Sequence, residues 1–247
     1  MKNLLILIII PFLSFAQEPF LDSLLKERVI NEEHASNFAK LLVLDNEKRI
    51  RSYHAVTLEV LKKVSGTDTL YRQNSSQILL GMSVDPLLWQ MVPLIKVSDP
   101  DILQIIQKDD LLIPLNNEHG PLPPVLFSFL SFFDNKGQYI LIPYVESANN
   151  KTPINRTKFD QNILYVNESV NICSMVFSHN FFKLFPSSVS DEWTSDVDMH
   201  IPGVEVEISF NEMYRNIIMY AIHDKSYEAA DGLLMFINEK QNKYLKE

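Results

Sequence analysis

Apolar positions recur at helical spacing along most of the chain. The clearest stripe is Phe159, Ile163, Val166, Val170, Cys173 and Phe177, with successive spacings of 4, 3, 4, 3 and 4. Those spacings put all six side chains on one helical face. They predict a long central helix from about Asn155 to Leu184, ended by Pro186. Further on, Phe210, Met213, Ile217 and Ala221 mark another helix. Ala230, Leu233, Leu234, Ile237 and Leu245 mark the last, with Ser226 as its cap. The break at His223-Asp224-Lys225 is short, so these two helices should form an antiparallel pair.

The first half reads in shorter pieces. Phe20, Leu24 and Leu25 begin a small amphipathic helix that ends near Asn31. Asn31 then serves as N-cap of the next, with Glu32 and Glu33 in its first turn. Leu41 to Leu44, the polar turn Asp45-Asn46-Glu47-Lys48, and Arg49-Ile50-Arg51 read as one β-hairpin. Val56, Val60, Leu61 and Val64 define a helix face that Gly66 stops. Ser76 opens a helix through Met82. Asp85-Pro86 and Asp99-Pro100 each combine an N-cap with a first-turn proline, and Pro93 ends the helix that the first of them starts. The four prolines between 109 and 124 indicate a loop and a possible sub-boundary. Leu126 to Phe133 reads as a short, strongly apolar helix. Tyr139 to Ala148 fits helix or strand, because Pro143 removes a donor from its middle. The expectation is a mainly α, multi-helix soluble domain over residues 17–247, with at most one small β-hairpin.

The first sixteen residues do not belong to that pattern. Lys2 supplies a positive start, Leu4 to Leu13 an apolar stretch, and Ser14-Phe15-Ala16 a small-x-small site. This is the layout of a secretory signal peptide cleaved after Ala16, which implies a periplasmic chain. The apolar stretch falls short of the about 20 residues that span a bilayer.

Composition narrows the function. A net charge of −9 excludes nonspecific nucleic-acid binding, which needs clustered Lys and Arg. Six glycines against 13 prolines disfavour phosphate-binding loops. Cys173 is the one cysteine, so no intrachain disulfide and no cysteine-based metal or haem-attachment motif exists. Lying between Ile172 and Met175, it reads as a buried thiol. The histidines at 34, 54, 119, 179, 200 and 223 include no i, i+3 or i, i+4 pair. Met199-His200 cannot clamp one iron, because adjacent side chains diverge. The acidic pairs Glu32/Glu33, Asp99/Asp101 and Asp109/Asp110 read as caps and solvated loops rather than acid–base machinery. No nucleophile elbow is present. No catalytic residue and no metal ligand is therefore assigned.

Two separated blocks carry a family likeness. LLVLDNEKRIRSYHAVTLEVLKKVSG followed by ILLGMSVDPLLWQMVPLIKV, between Leu41 and Val97, resembles the periplasmic segment of the bacterial system II cytochrome c assembly protein, which fuses a ResB-like to a CcsA-like part. Arg49, Ile50, Glu59, Val60, Leu61, Lys63, Gly81, Met82 and Trp89 to Lys96 (Met91 excepted) fit that family's run of E-V-L-R-K, F-L-G-M and W-Q-x-V-P-L-I-K. FDQNILYVNESVNICSMVFSHNFFKLFP, from Phe159 to Pro186, is similar to its FDKEVIKVDERVNIAYMVYTGxFLKIFP. There are departures: Arg51-Ser52-Tyr53-His54-Ala55 stands where the family has a proline-containing run, and Asn167-Glu168-Ser169 where it has D-E-R.

The family's haem chemistry resembles that of a membrane assembly with a tryptophan-rich loop and histidine ligands. With two tryptophans in all, this chain inherits none of it. The resemblance implies an accessory or scaffold role in cytochrome c maturation, with haem handled by partners at most. Those partners would be a CcsA-like membrane assembly protein and apocytochrome c. Arg49, Arg51, Trp89, Lys96 and Trp193 are the candidate partner-binding residues. The competing reading is a free-standing helical envelope adaptor or chaperone-like module that binds through its C-terminal helix pair.

Overall fold

The computed structural model describes residues 21, 23–45, 47–106, 125–187, 192–199 and 207–246. The expected signal peptide, the loop at 109–124, His119 and His200 lie outside these residues.

Helix α1 (Glu32–Phe38) starts at Asn31, whose side chain accepts from the His34 N–H at 3.0 Å. The expected hairpin follows. Strands β1 (Leu42–Leu44) and β2 (Ile50–Ser52) are antiparallel, with Val43 opposite Arg51. Ser52 then caps α2 (Tyr53–Ser65), which buries Val56, Val60, Leu61 and Val64 and ends at Gly66 with a left-handed φ of 80°. A two-residue turn joins β3 (Thr69–Leu70) to β4 (Gln73–Asn74) and leads into α3 (Ser75–Val84). Asn74, rather than Ser76, caps α3, and Gln77 reciprocates in a capping box. Nearly every residue of α3 is buried, including the polar Ser75, Ser76 and Gln77 of its first turn.

Asp85 and Pro86 start α4 (Pro86–Trp89). Pro93 does more than end it: it opens β5 (Pro93–Val97). Asp99 caps α5 (Pro100–Ile106), accepting from the Asp101 and Ile102 N–H groups. Strand β6 (Val125–Ser128) pairs antiparallel with β5, and a single 3-10 turn, Phe129–Phe132, follows. The expected helix at Leu126–Phe133 is therefore corrected. A short continuous apolar run has no period to tell strand from helix, and its Val and Phe content suits the strand. Pro143 lies in the first turn of α6 (Ile142–Asn149), which settles the ambiguous stretch as helix.

The longest helix, α7 (Lys158–Phe177), begins at a Thr157–Asp160 capping box. It buries Ile163, Val166, Val170, Cys173 and Phe177 of the predicted stripe, while Phe159 is partly covered. It stops short of Leu184. His179 adopts a left-handed φ of 59°, its N–H bonds the Val176 carbonyl and the Asn180 N–H reaches back to Met175. That is a Schellman stop, with histidine where glycine is usual.

Strands β7 (Phe185–Pro186) with β8 (Trp193–Thr194), and β9 (Asp198–Met199) with β10 (Ile208–Ser209), bring the two-stranded sheets among the described residues to five. The expectation of at most one hairpin is corrected accordingly. Four of them use strands of only two or three residues on one or both sides, too short to show a two-residue period.

Helices α8 (Phe210–Asp224) and α9 (Glu228–Tyr244) form the expected pair. The N-cap position of α9 is Tyr227, not Ser226, because left-handed Lys225 shifts the turn by a residue. Helix α7 packs on α2, α3, β5, α5 and α6, and α9 packs on α8, α1 and β7. Their buried faces join one hydrophobic cluster.

Candidate partner-binding groove

Asp45 organises the tip of the first hairpin. Its Oδ1 accepts from the backbone N–H groups of Glu47 and Arg49, both at 2.9 Å. Its Oδ2 accepts from Arg49 Nε at 2.9 Å. Burial alone would raise this carboxyl, but the hydrogen bonds and charge of Arg49, with the Glu47 N–H, outweigh it and hold it below the usual carboxylate value. Arg49 also pairs with Glu47 at 2.8 Å. Arg51 donates to Glu59 Oε2 on α2 at 2.8 Å, with Asp45 at 3.6 Å. One turn further along α2, Lys63 reaches Glu168 on α7 at 2.6 Å and lies over the Tyr165 ring at 4.9 Å.

These ion pairs rim a groove of about 510 Å³. Val43 and Leu44 of β1 and Val56 and Val60 of α2 form one wall. Ile172 and Met175 of α7, followed by Phe181 and Phe182, form the other. The floor is apolar and the rim carries both signs of charge, which suits a protein surface with an apolar ridge and polar flanks better than a simple anion. The two walls come from the two family-like blocks, which are far apart in sequence.

Of the five residues singled out in the sequence, Arg49 and Arg51 line this groove. Trp89 and Trp193 are each 2% exposed. Trp89 lies on Gly81, where an added Cβ would stand 2.6 Å from Nε1, so two matching motif residues form one packing contact. Trp193 stacks edge-on against Tyr244. The Lys96 side chain covers Gly66, with Cδ 3.0 Å from where a Cβ would be. Leu94, Ile95 and Val97 are core residues. Much of the W-Q-x-V-P-L-I-K run is thus packing.

Cys173 is fully buried, and burial pushes its thiol up to about 12. His54 and His223 are exposed, and His179 is partly covered. Burial lowers His179, with Asp196 opposing and Arg215 reinforcing the shift. Among the described residues no cluster of three metal-ligating side chains occurs. No helix among them is long and apolar enough to cross a membrane.

Sequence reading missed two features. Ile172 and Met175, on the α7 side of the groove, lie off the Phe159–Phe177 stripe and were not singled out. A junction of buried His34 and Tyr214 with half-exposed Asp231 also escaped it. His34 Nδ1 lies 2.7 Å from Asp231 Oδ1 and Nε2 lies 2.8 Å from the Tyr214 hydroxyl. Partners roughly 180 and 200 residues away leave no local signal.

No family model matches the chain. Over 173 residues it is 32% identical to Protein NrfI of Wolinella succinogenes, an alignment covering 70% of this chain and 18% of that protein. The chain thus spans less than a fifth of the length of this relative.

Proposed function

We propose that this chain is a periplasmic accessory or scaffold part of a cytochrome c maturation complex, without catalytic chemistry of its own. The observation that carries the reading is the groove: both blocks that resemble the system II assembly protein converge on its walls. The likeness to Protein NrfI is consistent with cytochrome c assembly. Its coverage, most of this chain against a small part of a much longer protein, suits a segment that works beside membrane-embedded parts. In this reading the groove seats a periplasmic segment of a CcsA-like membrane assembly protein, with apocytochrome c as a further partner. Haem attachment requires reduced thiols and axial control of iron. One thiol that burial keeps protonated and no grouped histidines among the described residues favour leaving that chemistry to the partner.

Purified after export, the chain should show no haem absorbance and no ligase activity, yet co-purify with the membrane assembly protein. Stoichiometric haem on the isolated chain would overturn the scaffold role. The adaptor reading has one supporting observation: Tyr220 and Met235 on the α8–α9 pair are 65% and 66% exposed. Substituting those two residues, rather than the groove, should abolish partner capture if that reading holds.

A further inference from the structure

The His34 ring is wholly enclosed where α1 meets the α8–α9 pair. Asp231 on α9 can only accept a hydrogen bond, so Nδ1 carries the proton and Nε2 accepts from the Tyr214 hydroxyl on α8. Tyr227, in the link between α8 and α9, covers the ring at 5.1 Å and takes the Asn31 N–H on its own hydroxyl. Helix α3, packed on the other side of α1, carries no titratable side chain. With a neutral imidazole every hydrogen-bonding group of the junction is paired. A second proton would turn Nε2 from acceptor to donor. The Tyr214 oxygen could accept it, but the Tyr214 O–H proton that now bonds Nε2 would be left without an acceptor among the described residues, with the Phe38 and Phe210 rings around it.

Ten residues further along α9, about 15 Å at helical rise, Gln241 is bound to both walls of the groove. Its Nε2 donates to the carbonyls of Leu42 at 2.8 Å and Leu184 at 2.9 Å. Its Oε1 accepts from the Leu42 N–H at 3.0 Å. Leu42 opens the strand that supplies Val43 and Leu44, and Leu184 follows Phe181 and Phe182. This buried amide ties the two walls together beside the direct bond from the Leu44 N–H to the Lys183 carbonyl at 3.0 Å.

We propose that the His34–Asp231–Tyr214 junction is a proton-operated latch: protonating the His34 ring frees the α8–α9 pair from α1 and loosens the Gln241 clamp on the groove. The latch stands on the geometry alone, while its role as a regulator of partner binding rests on the function proposed above. The direction of the effect follows from linkage. Burial lowers the His34 titration below its ordinary 6.5, with Asp231 opposing in part. The opened state regains the ordinary value and binds more protons in the interval between the two. Opening therefore grows as pH falls through that interval, about tenfold per pH unit.

Amide hydrogen exchange on the full chain, corrected for intrinsic rates, tests this at about pH 7.5 and about pH 5. Acidification should raise exchange in residues 228–244 and 42–44 but leave 158–177 protected. His34→Gln, whose ring nitrogen is replaced by a neutral amide, should show no such step. Asp231→Asn, which keeps an acceptor for Nδ1 but removes the opposing charge, should deepen it. A wild-type profile flat in pH, a step that persists in His34→Gln, or a step unchanged in Asp231→Asn would each overturn the latch. None of these readouts involves a partner, so they fail independently of the proposed function. If the latch also regulates the groove, capture of the membrane assembly protein should weaken on acidification in the wild type and not in His34→Gln.

Discussion

A Cβ on Gly81 would stand 2.6 Å from Trp89 Nε1, and the indole is buried, so it cannot swing into solvent to make room. Gly81→Ala gains about 1 kcal/mol of helix propensity but overpacks the core at a cost of about 1–3 kcal/mol. A urea melt should show a net loss on the order of 1 kcal/mol; a more stable variant would mean that the indole shifts freely. Asp160 offers a second test at this scale. Hydrogen bonds from Lys151, then from the Thr157 side chain and backbone, lower its carboxyl from 3.8 to about 2. A depressed carboxylate contributes stability above its unfolded value and loses it as pH falls towards the folded one. Asp160→Asn should therefore melt below the parent at neutral pH, and the gap should close between pH 3.8 and about 2. A gap constant through that window would show that the pair does not act through charge.

Among the elements, α7 was legible because its stripe runs for five turns. Its end was not, because a left-handed histidine carries no sequence warning, whereas Gly66 at the end of α2 does. The β5–β6 pair was hidden for another reason. Its strands are separated by the segment 107–124, and neither shows the strict burial alternation that marks a strand with one solvated face: the four residues of β6 are all partly covered. Val170 on α7 is 3% exposed, so Val170→Asp should unfold the chain, in keeping with about 1.5–3 kcal/mol for each such buried side chain plus the cost of an unpaired charge. Circular dichroism is sufficient to check this. Melting within a degree or two of the parent would contradict the face assigned to the helix.

At the scale of the whole molecule, the family-like blocks were readable in sequence, but their meeting was not. Glu59 and Lys63 belong to the first block and Glu168 to the second, so the groove exists only once α2 and α7 pack. The fold also explains why much of the motif is packing: Gly81, Trp89, Leu94 and Ile95 build the body, while Arg49, Arg51 and Glu59 remain at the rim. Export can be checked by mass spectrometry of the mature protein, which should begin at Gln17; retention of residues 1–16 would contradict cleavage after Ala16. The central claim is that the groove faces the cytochrome c assembly machinery. The most direct measurement is photocrosslinking in cells, with a photoreactive residue at Asn171 in the groove and, as control, at Ile154, which is 92% exposed and elsewhere on the surface. The account predicts an adduct with the membrane cytochrome c assembly protein from position 171 and none from 154. No adduct with that protein from 171, or equal yields from both positions, would contradict it.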